Sequence, residues 1–248
     1  MTKEEVLIQC TVDGNIVKLP NIQLERKLYQ DVAKSLNLIG GKWVGGKTCG
    51  FVFNSDPTDL LNQIASGEKR NLKKEYQFFE TPNDLADKLV LIADLKDNDV
   101  VLEPSAGQGA IIEAILRTKI NCQILAIELM EINSKILNKK GYHHEVGDFL
   151  TIPNQPIYDK IIANPPFSNN QDIDHVKHMY ELLKNGGKLV SIISEHWNNS
   201  SNKKETEFRK WLCDVDANIE HIPNGTFKKS GTNVGGFIIT IIKNKNEY

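Results

Sequence analysis

The order of apolar and polar positions divides this chain near residue 70. After that point, apolar runs of strand length alternate with segments in which apolar residues recur every three or four positions. This alternation predicts an α/β fold with a mostly parallel sheet. The last two predicted strands, 218–222 and 235–243, follow each other so closely that we expect an antiparallel hairpin at one edge. We therefore predict one domain over 71–248.

Helices are predicted where the apolar spacing is helical. The first follows Thr81, which is expected to cap it, with Pro82 at the first helical position. Another is expected to stop at Gly186-Gly187, ahead of a buried strand over 188–194. The predicted helices cover 82–93, 110–116, 131–140, 173–184 and 205–213.

Residues 1–70 show a different pattern. Alternating apolar positions and a turn at Gly14 predict a hairpin over 6–19. A helical stripe over 24–36, a second hairpin over 43–53 and a short helix over 56–64 complete an expected ββα-ββα module.

Aromatic residues in the second hairpin offer a way to bind nucleic acid. Trp43, Phe51 and Phe53 can stack on bases, and Lys42 and Lys47 are close enough in sequence to contact phosphates. For Phe51 and Phe53, a small aromatic core is the alternative. The module is therefore a candidate for substrate recognition.

A glycine-rich loop follows the first strand of the larger domain. The run over 100–103 ends in Glu103 and continues as Pro104-Ser105-Ala106-Gly107-Gln108-Gly109 before a helix begins. Glycines allow a sharp turn and a close approach of backbone to a ligand, and the N–H groups at a helix start favour the negative end of a ligand. The spacing is not G-x-G-x-x-G and no Gly-Lys-Ser/Thr follows, which argues against a dinucleotide or a triphosphate.

Two further strands lead to carboxylates. Glu128 closes the strand over 123–128, where a carboxylate can accept both hydroxyls of a ribose. A solvated carboxylate at a strand end is the alternative. Asp148 follows a strand over 142–146 and can accept from an adenine amino group, with the ring of Phe149 beside it to pack against the base.

Asn164-Pro165-Pro166-Phe167 follows the apolar run over 158–163. The two prolines fix φ and remove two backbone donors, so the carbonyls ahead of them are left to accept hydrogen bonds. An amide, rigid carbonyls and an aromatic ring at a strand end suit a planar group that bears an NH₂. Taken alone, the motif is also consistent with a polyproline turn that ends a strand.

Taken in order, these motifs resemble the class I S-adenosylmethionine-dependent methyltransferases, and more narrowly those that methylate the N6 of adenine in DNA. Phe79 and Thr81-Pro82 are similar to a Phe-x-Thr-Pro segment that helps to hold the methionine part of the cofactor in that family. The resemblance implies a Rossmann-like sheet of seven strands, mostly parallel, with an antiparallel C-terminal hairpin. It implies S-adenosylmethionine as cofactor, without a metal, at Phe79, Thr81, Glu103, Pro104, Ser105, Gly107, Gly109, Glu128, Asp148, Phe149 and Asn164.

The resemblance also implies how the acceptor is held. The side-chain oxygen of Asn164 and the carbonyl of Pro165 would accept the two hydrogens of the adenine amine. Phe167 would stack on a base extruded from the helix. Asn164, Pro165, Pro166 and Phe167 are thus the catalytic candidates, and catalysis would consist mainly of positioning and electrostatics.

Composition adds limits to this picture. The 248 residues carry a formal net charge of −2, which by itself gives no support for nucleic-acid binding. Four scattered cysteines without C-x-x-C spacing indicate reduced thiols rather than a disulfide framework or a zinc site. No apolar run reaches membrane length and the start lacks the apolar stretch of a signal peptide, so we expect a cytoplasmic protein.

The acceptor stays open at this stage. Adenine methyltransferases often carry a large target-recognition domain after the catalytic motifs, and we expect no such domain here because the final strand of the catalytic part is predicted at 235–243. Either the module over 1–70 reads the substrate, or a partner does, or specificity is low. DNA, as in restriction-modification, is the leading expectation. The alternatives are an RNA adenine, a glutamine amide in a protein, or a catalytically silent relative that binds nucleic acid.

Overall fold

Two units, Met1–Phe78 and Phe79–Tyr248, make up the chain in the computed structural model. The structure describes residues 1–53, 56–68, 81–227 and 235–244. The boundary lies within 69–80, outside the described residues, so the domain limits of 1–70 and 71–248 stay predictions.

The N-terminal unit combines an antiparallel sheet with helices. Its strands have the order β1-β2-β4-β3, and each neighbouring pair is antiparallel. The helices bury an apolar cluster that includes Phe51 and Phe53. The described elements are α1 (Lys3–Ile8), β1 (Thr11–Asp13), β2 (Ile16–Lys18), α2 (Arg26–Leu38), β3 (Lys42–Val44), β4 (Gly50–Val52) and α3 (Thr58–Ala65).

The prediction of a strand from residue 6 is wrong, because a helix forms there. Oγ1 of Thr2 accepts from the N–H of Glu5 at 3.2 Å, and Oε2 of Glu5 accepts from the N–H of Thr2 at 2.9 Å. This reciprocal capping box satisfies two donors at the helix start. The adjacent residues Val6 and Leu7 are both buried, whereas a strand would place them on opposite faces. The hairpin is therefore shorter than predicted and consists of β1 and β2.

The C-terminal unit is a seven-stranded sheet with the order β10-β11-β9-β8-β5-β6-β7. Within this sheet β11 runs antiparallel to both of its neighbours, β9 and β10, and the other described strand pairs are parallel. This arrangement confirms the predicted α/β fold class and the antiparallel hairpin at one edge. The strands are β5 (Val100–Glu103), β6 (Gln123–Glu128), β7 (Glu145–Val146), β8 (Tyr158–Ala163), β9 (Leu183–Ile193), β10 (Asn218–Ile222) and β11 (Gly236–Ile242).

Helices cover both faces of this sheet. Val101 of β5 packs with residues of α4 and α5 on one face, and Leu102, the next residue, packs with residues of α7 and α9 on the other. Successive residues of a strand point to opposite faces, so β5 is buried on both sides. The helices are α4 (Asn83–Ala93), α5 (Ala110–Thr118), α6 (Glu131–Lys140), α7 (Gln171–Leu182), α8 (His196–Asn199) and α9 (Lys203–Asp214). None of the described helices has the length and apolar character needed to cross a membrane.

The end of α7 differs from the prediction. The helix stops at Leu182, and Leu183 is already extended and paired with Tyr158 of β8. Gly186 and Gly187 lie inside β9, where the register with β8 shifts, instead of terminating the helix. The N–H of Gly186 donates to the carbonyl of Lys243 at 2.7 Å. Pairing with the neighbouring strands therefore overrides the glycine stop signal that the sequence carries.

Candidate active site

The predicted site residues come together at one edge of the large sheet. Glu103 ends β5, Glu128 ends β6, and Asn164 follows the last residue of β8. These strands are parallel, so their carboxyl ends share an edge. The strand β5 pairs with β6 on one side and β8 on the other. The chain therefore adds β6 and β7 on one side of β5 and then returns to add β8 on the other side, so β5 lies at the topological switch point of the sheet. Ligands of open α/β sheets bind in the crevice at that point.

The glycine loop over 104–109 is shaped by backbone contacts. The N–H of Ala106 donates to the carbonyl of Ile127 at 2.8 Å, which holds the loop against the end of β6. Gly107 and Gly109 have φ of +55° and +90°, a region that side chains disfavour. A Cβ on Gly109 would lie 3.0 Å from the ring of Tyr142, so both conformation and space require glycine there. Pro104 is buried and Ser105 half-buried in the same loop.

Glu128 ties this loop to the chain that follows β6. Its Oε2 accepts from the N–H of Gly107 at 2.6 Å, and its Oε1 accepts from the N–H of Met130 at 2.7 Å. The residue is 5% exposed, and burial raises the pKa of its carboxyl group although both backbone donors oppose that shift. Each carboxylate oxygen retains a second lone pair for a ligand hydroxyl. The structure therefore rules out the alternative of a solvated strand end.

Glu103 is a buried carboxylate at the end of β5. Burial, and then the charge of Glu128, raise the pKa of this group well above its usual value, while the N–H of Ile112 lowers it. Its Oε2 is buried and accepts no hydrogen bond from the described residues. A buried acceptor without a donor is costly, so this oxygen is suited to a donor supplied by a ligand, such as an ammonium group.

Thr81 does not cap the helix α4, contrary to the prediction. Pro82 occupies the N-cap position, and the helix begins at Asn83. The hydroxyl of Thr81 instead accepts from Nδ2 of Asn164 at 3.0 Å, across 83 positions of sequence. Thr81 is 7% exposed. This contact fixes the orientation of the Asn164 amide at the end of β8.

The rest of the Asn-Pro-Pro-Phe motif is partly enclosed. Pro165 is buried, and Pro166 is half-buried. Phe167 is half-buried and packs against the apolar cluster of α4 and α5, which also contains Phe227. The motif is thus anchored on one side while it still has accessible surface.

No cluster of three or more residues able to hold a metal ion occurs in the described part of the chain.

The structure places Asp148 and Phe149 differently from one another. Asp148 is exposed and its Oδ1 accepts from the N–H of Leu150 at 2.9 Å, so it caps a short 3₁₀ turn. Phe149 is 2% exposed, and its ring packs 5.2 Å from that of His175 and 4.7 Å from that of His178. The Phe149 side chain is part of the core, which counts against its predicted contact with an adenine ring. Phe79 lies outside the described residues.

Sequence reasoning missed two buried polar residues of α7, Asp172 and His175. Oδ2 of Asp172 accepts from the N–H of Ser194 at 2.9 Å and thereby joins the start of α7 to the end of β9. Burial raises the pKa of Asp172, and burial lowers the pKa of His175 to about 4. A carboxylate in a first helical turn is common, so Asp172 carries no signal in the sequence that separates it from ordinary helix starts.

Parts of this chain are similar to methyltransferases of known sequence or structure. No family model matches the chain. The protein named probable ribosomal RNA small subunit methyltransferase A of Methanosarcina barkeri is 30% identical over 141 residues, a match that covers 51% of this chain and 46% of that protein. The chain thus spans less than half of the length of this curated relative.

Solved structures resemble the chain more extensively. The M protein of the type I restriction enzyme EcoKI has a TM-score of 0.57 and 15% identity over 90% of this chain and 56% of its own. A protein of Listeria monocytogenes assigned to the class I S-adenosylmethionine-dependent methyltransferases has a TM-score of 0.54 and 12% identity, over 77% of this chain and 68% of its own. These likenesses establish the class I methyltransferase fold.

The buried carboxyl group of Glu103 generates a prediction for the ligand-free protein. Its raised pKa means that folding favours the protonated form, so this contribution to stability is complete below the usual Glu pKa of 4.5 and is lost as the pH rises. The loss amounts to about 1.4 kcal/mol for each unit by which the folded pKa exceeds the unfolded one. Glu103→Gln should therefore raise the melting temperature at pH 7.5 and change it little near pH 4.5.

Thermal unfolding followed by circular dichroism across this pH range measures the effect. Glu207→Gln, at a carboxylate whose side chain is 59% exposed, is the control and should match wild type at every pH. A pH profile of Glu103→Gln that runs parallel to wild type would show that Glu103 is not the buried titrating group.

Proposed function

We propose that this protein transfers a methyl group from S-adenosylmethionine to the N6 amino group of adenine in nucleic acid, with DNA as the favoured substrate. The observation that carries the proposal is the position of Asn164-Pro165-Pro166-Phe167. The motif begins where β8 ends, beside the glycine loop of β5, and Thr81 orients the Asn164 amide.

The residues at the edge fit the cofactor. Glu103 offers a buried acceptor for its amino group, and Glu128 offers acceptors for the ribose hydroxyls. The loop over 104–109 has no side chain at Gly107 or Gly109 to keep a ligand from the backbone. When bound, the cofactor supplies an electrophilic methyl group on a sulfonium. Phe79 and Asp148 complete the proposed set.

The acceptor motif fits a conjugated amine. The lone pair of adenine N6 is delocalised into the ring, so the amine is a weak nucleophile. Oδ1 of Asn164 and the carbonyl of Pro165 would accept its hydrogens and localise that lone pair on nitrogen. Phe167 would stack on the extruded base. Because these groups are fixed before the base arrives, their contribution is positioning and electrostatic stabilisation.

RNA is the second candidate substrate, because the curated relative is named for ribosomal RNA methylation. The likeness to the EcoKI M protein favours DNA and a place in restriction-modification. A protein glutamine amide presents the same kind of NH₂ to Asn164. A catalytically silent relative is disfavoured by the intact Asn164-to-Phe167 motif.

We propose that the N-terminal module contributes to substrate binding through Trp43. Trp43 is 45% exposed and lies on the edge strand β3, with its ring 5.2 Å from that of Phe51 in an edge-on arrangement. The exposed side chains of Lys42 and Lys47 flank it in sequence. Phe51 and Phe53 are 1% and 5% exposed, so they belong to the core and not to a stacking surface.

The first prediction from this proposal concerns the cofactor. Glu128→Ala should weaken the binding of S-adenosylhomocysteine about 10- to 100-fold, because hydrogen bonds to a charged group contribute about 1.5–3 kcal/mol. Isothermal titration calorimetry measures the affinity. Glu181→Ala, an exposed carboxylate at the end of α7 and so at the opposite edge of the sheet, is the matched control. Unchanged affinity in a folded Glu128→Ala protein would remove Glu128 from the site.

The second prediction concerns chemistry. Asn164→Ala should abolish methyl transfer and leave affinity for S-adenosylhomocysteine nearly intact, because Asn164 is proposed to contact the acceptor amine. Asn164→Asp keeps an acceptor oxygen and should retain part of the activity. Thr81→Val removes the partner of Asn164 Nδ2 and should lower the rate less than Asn164→Ala does. Normal turnover of an adenine substrate by Asn164→Ala would refute the assigned role.

The third prediction concerns the N-terminal module. Trp43→Ala should weaken nucleic-acid binding by about 1–3 kcal/mol if the ring stacks on a base. Fluorescence anisotropy with a labelled oligonucleotide measures this loss, and Tyr29→Ala, at a ring that is 38% exposed on α2, is the control. Equal affinities of wild type and Trp43→Ala would show that Trp43 does not bind the substrate, and recognition would then require another surface or a partner.

A further inference from the structure

The segment between β8 and α7, residues 164–170, has an unusual backbone conformation at its C-terminal end. Asn169 and Asn170 have φ of +52° and +57°, so two consecutive residues other than glycine lie in the left-handed region. That region is disfavoured for most L-residues, and less so for asparagine. Such a backbone persists when surrounding contacts fix it. We call residues 164–170 the acceptor segment.

The contacts that fix this end come from the start of α9. Oε1 of Glu205 accepts from Nδ2 of Asn170 at 3.0 Å. The neighbouring Lys204 donates from Nζ to the carbonyl of Asn170 at 3.0 Å, and to Asp174 of α7. Both the side chain and the backbone of Asn170 are therefore held by consecutive residues of one helix.

The side chain of Glu205 is shielded from solvent by its neighbours, although it lies in the first turn of a helix. It is 1% exposed. Its Oε1 also lies 3.3 Å from Nδ2 of Asn202 and 3.2 Å from Nε2 of His196. A buried carboxylate surrounded by donors is strongly fixed, since removing it leaves those donors without an acceptor. Glu205 thus joins the acceptor segment to α8 and α9.

We propose that Glu205 is a positioning residue for methyl transfer: through Asn170 it holds the acceptor segment so that Asn164 stays aimed at the acceptor amine. This inference rests on the proposed function. The segment is then clamped at both ends, by Thr81 at Asn164 and by Glu205 at Asn170. Misplacing reacting groups by about 1 Å can cost about 100-fold in rate. Loss of the contact at Asn170 would therefore lower the rate of methyl transfer if it lets Asn164 move.

The test compares variants under single-turnover conditions with saturating cofactor. Glu205→Ala should lower the rate of methyl transfer about tenfold or more, with the affinity for S-adenosylhomocysteine within about twofold of wild type. Glu205→Gln keeps an acceptor oxygen for Asn170 and should recover most of the rate. Glu207→Ala, on the exposed side of the same helix, should behave as wild type.

A second variant covers the case in which Glu205→Ala fails to fold. Asn170→Gly preserves the left-handed backbone but removes the amide that donates to Glu205. It should lower the single-turnover rate and leave cofactor affinity unchanged. Where both single variants fold, the double variant should lose less than the sum of the two effects, because both changes remove the same contact.

Amide hydrogen exchange separates this inference from the proposed function. In Glu205→Ala, peptides that cover 168–171 should lose protection, while peptides of β5 and β6 should not. Protection unchanged at 168–171, or a rate within about twofold of wild type in a folded Glu205→Ala protein, overturns the inference. If wild type transfers no methyl group, the proposed function fails, and exchange alone decides whether Glu205 holds the segment.

Discussion

The parallel pairing of β5 with β6 on one side and β8 on the other is the constraint on which the site depends. It brings Glu103, Glu128 and Asn164 to one edge, although they are spread over about sixty residues of sequence. The alternation of strand and helix favours this pairing, because β5 and β8 are each buried on both faces by helices. The carboxylate of Glu128 then joins the glycine loop to the chain after β6. In the proposed function, the side chain that organises the loop also binds the cofactor.

Two buried carboxylates at this edge give the ligand-free protein an electrostatic cost. Burial raises the pKa values of both Glu103 and Glu128, and the charge of Glu128 adds to the shift at Glu103. A cationic ligand group near Glu103 would relieve that cost. The buried charge that destabilises the ligand-free protein would then also be the charge that attracts the ligand. On the proposed acceptor side, the side chain of Asn164 is instead held by a neutral contact, the hydrogen bond from its amide to Thr81.

Local patterns predicted most of the architecture, and long-range contacts explain what they missed. The glycine loop, the strands that end in Glu103 and Glu128, and the final hairpin follow from periodicity and turn residues near in sequence. Thr81 was expected to cap a helix, but its partner lies 83 positions away, and no local rule reports that distance. The core position of Phe149 depends likewise on His175 and His178 of α7. At the N-terminus the error has a local cause, because the capping box of Thr2 and Glu5 starts a helix where the alternation of apolar residues predicted a strand.

The most direct measurement identifies the atom that receives the methyl group. Wild-type protein and Asn164→Ala are each incubated with S-adenosylmethionine that carries a labelled methyl group and with separate DNA, RNA and protein pools. The DNA and RNA are then digested to nucleosides and analysed by mass spectrometry. We expect labelled N6-methyl-2′-deoxyadenosine from DNA with wild type and none with Asn164→Ala. Label on a cytosine, or label confined to the protein pool, would contradict it.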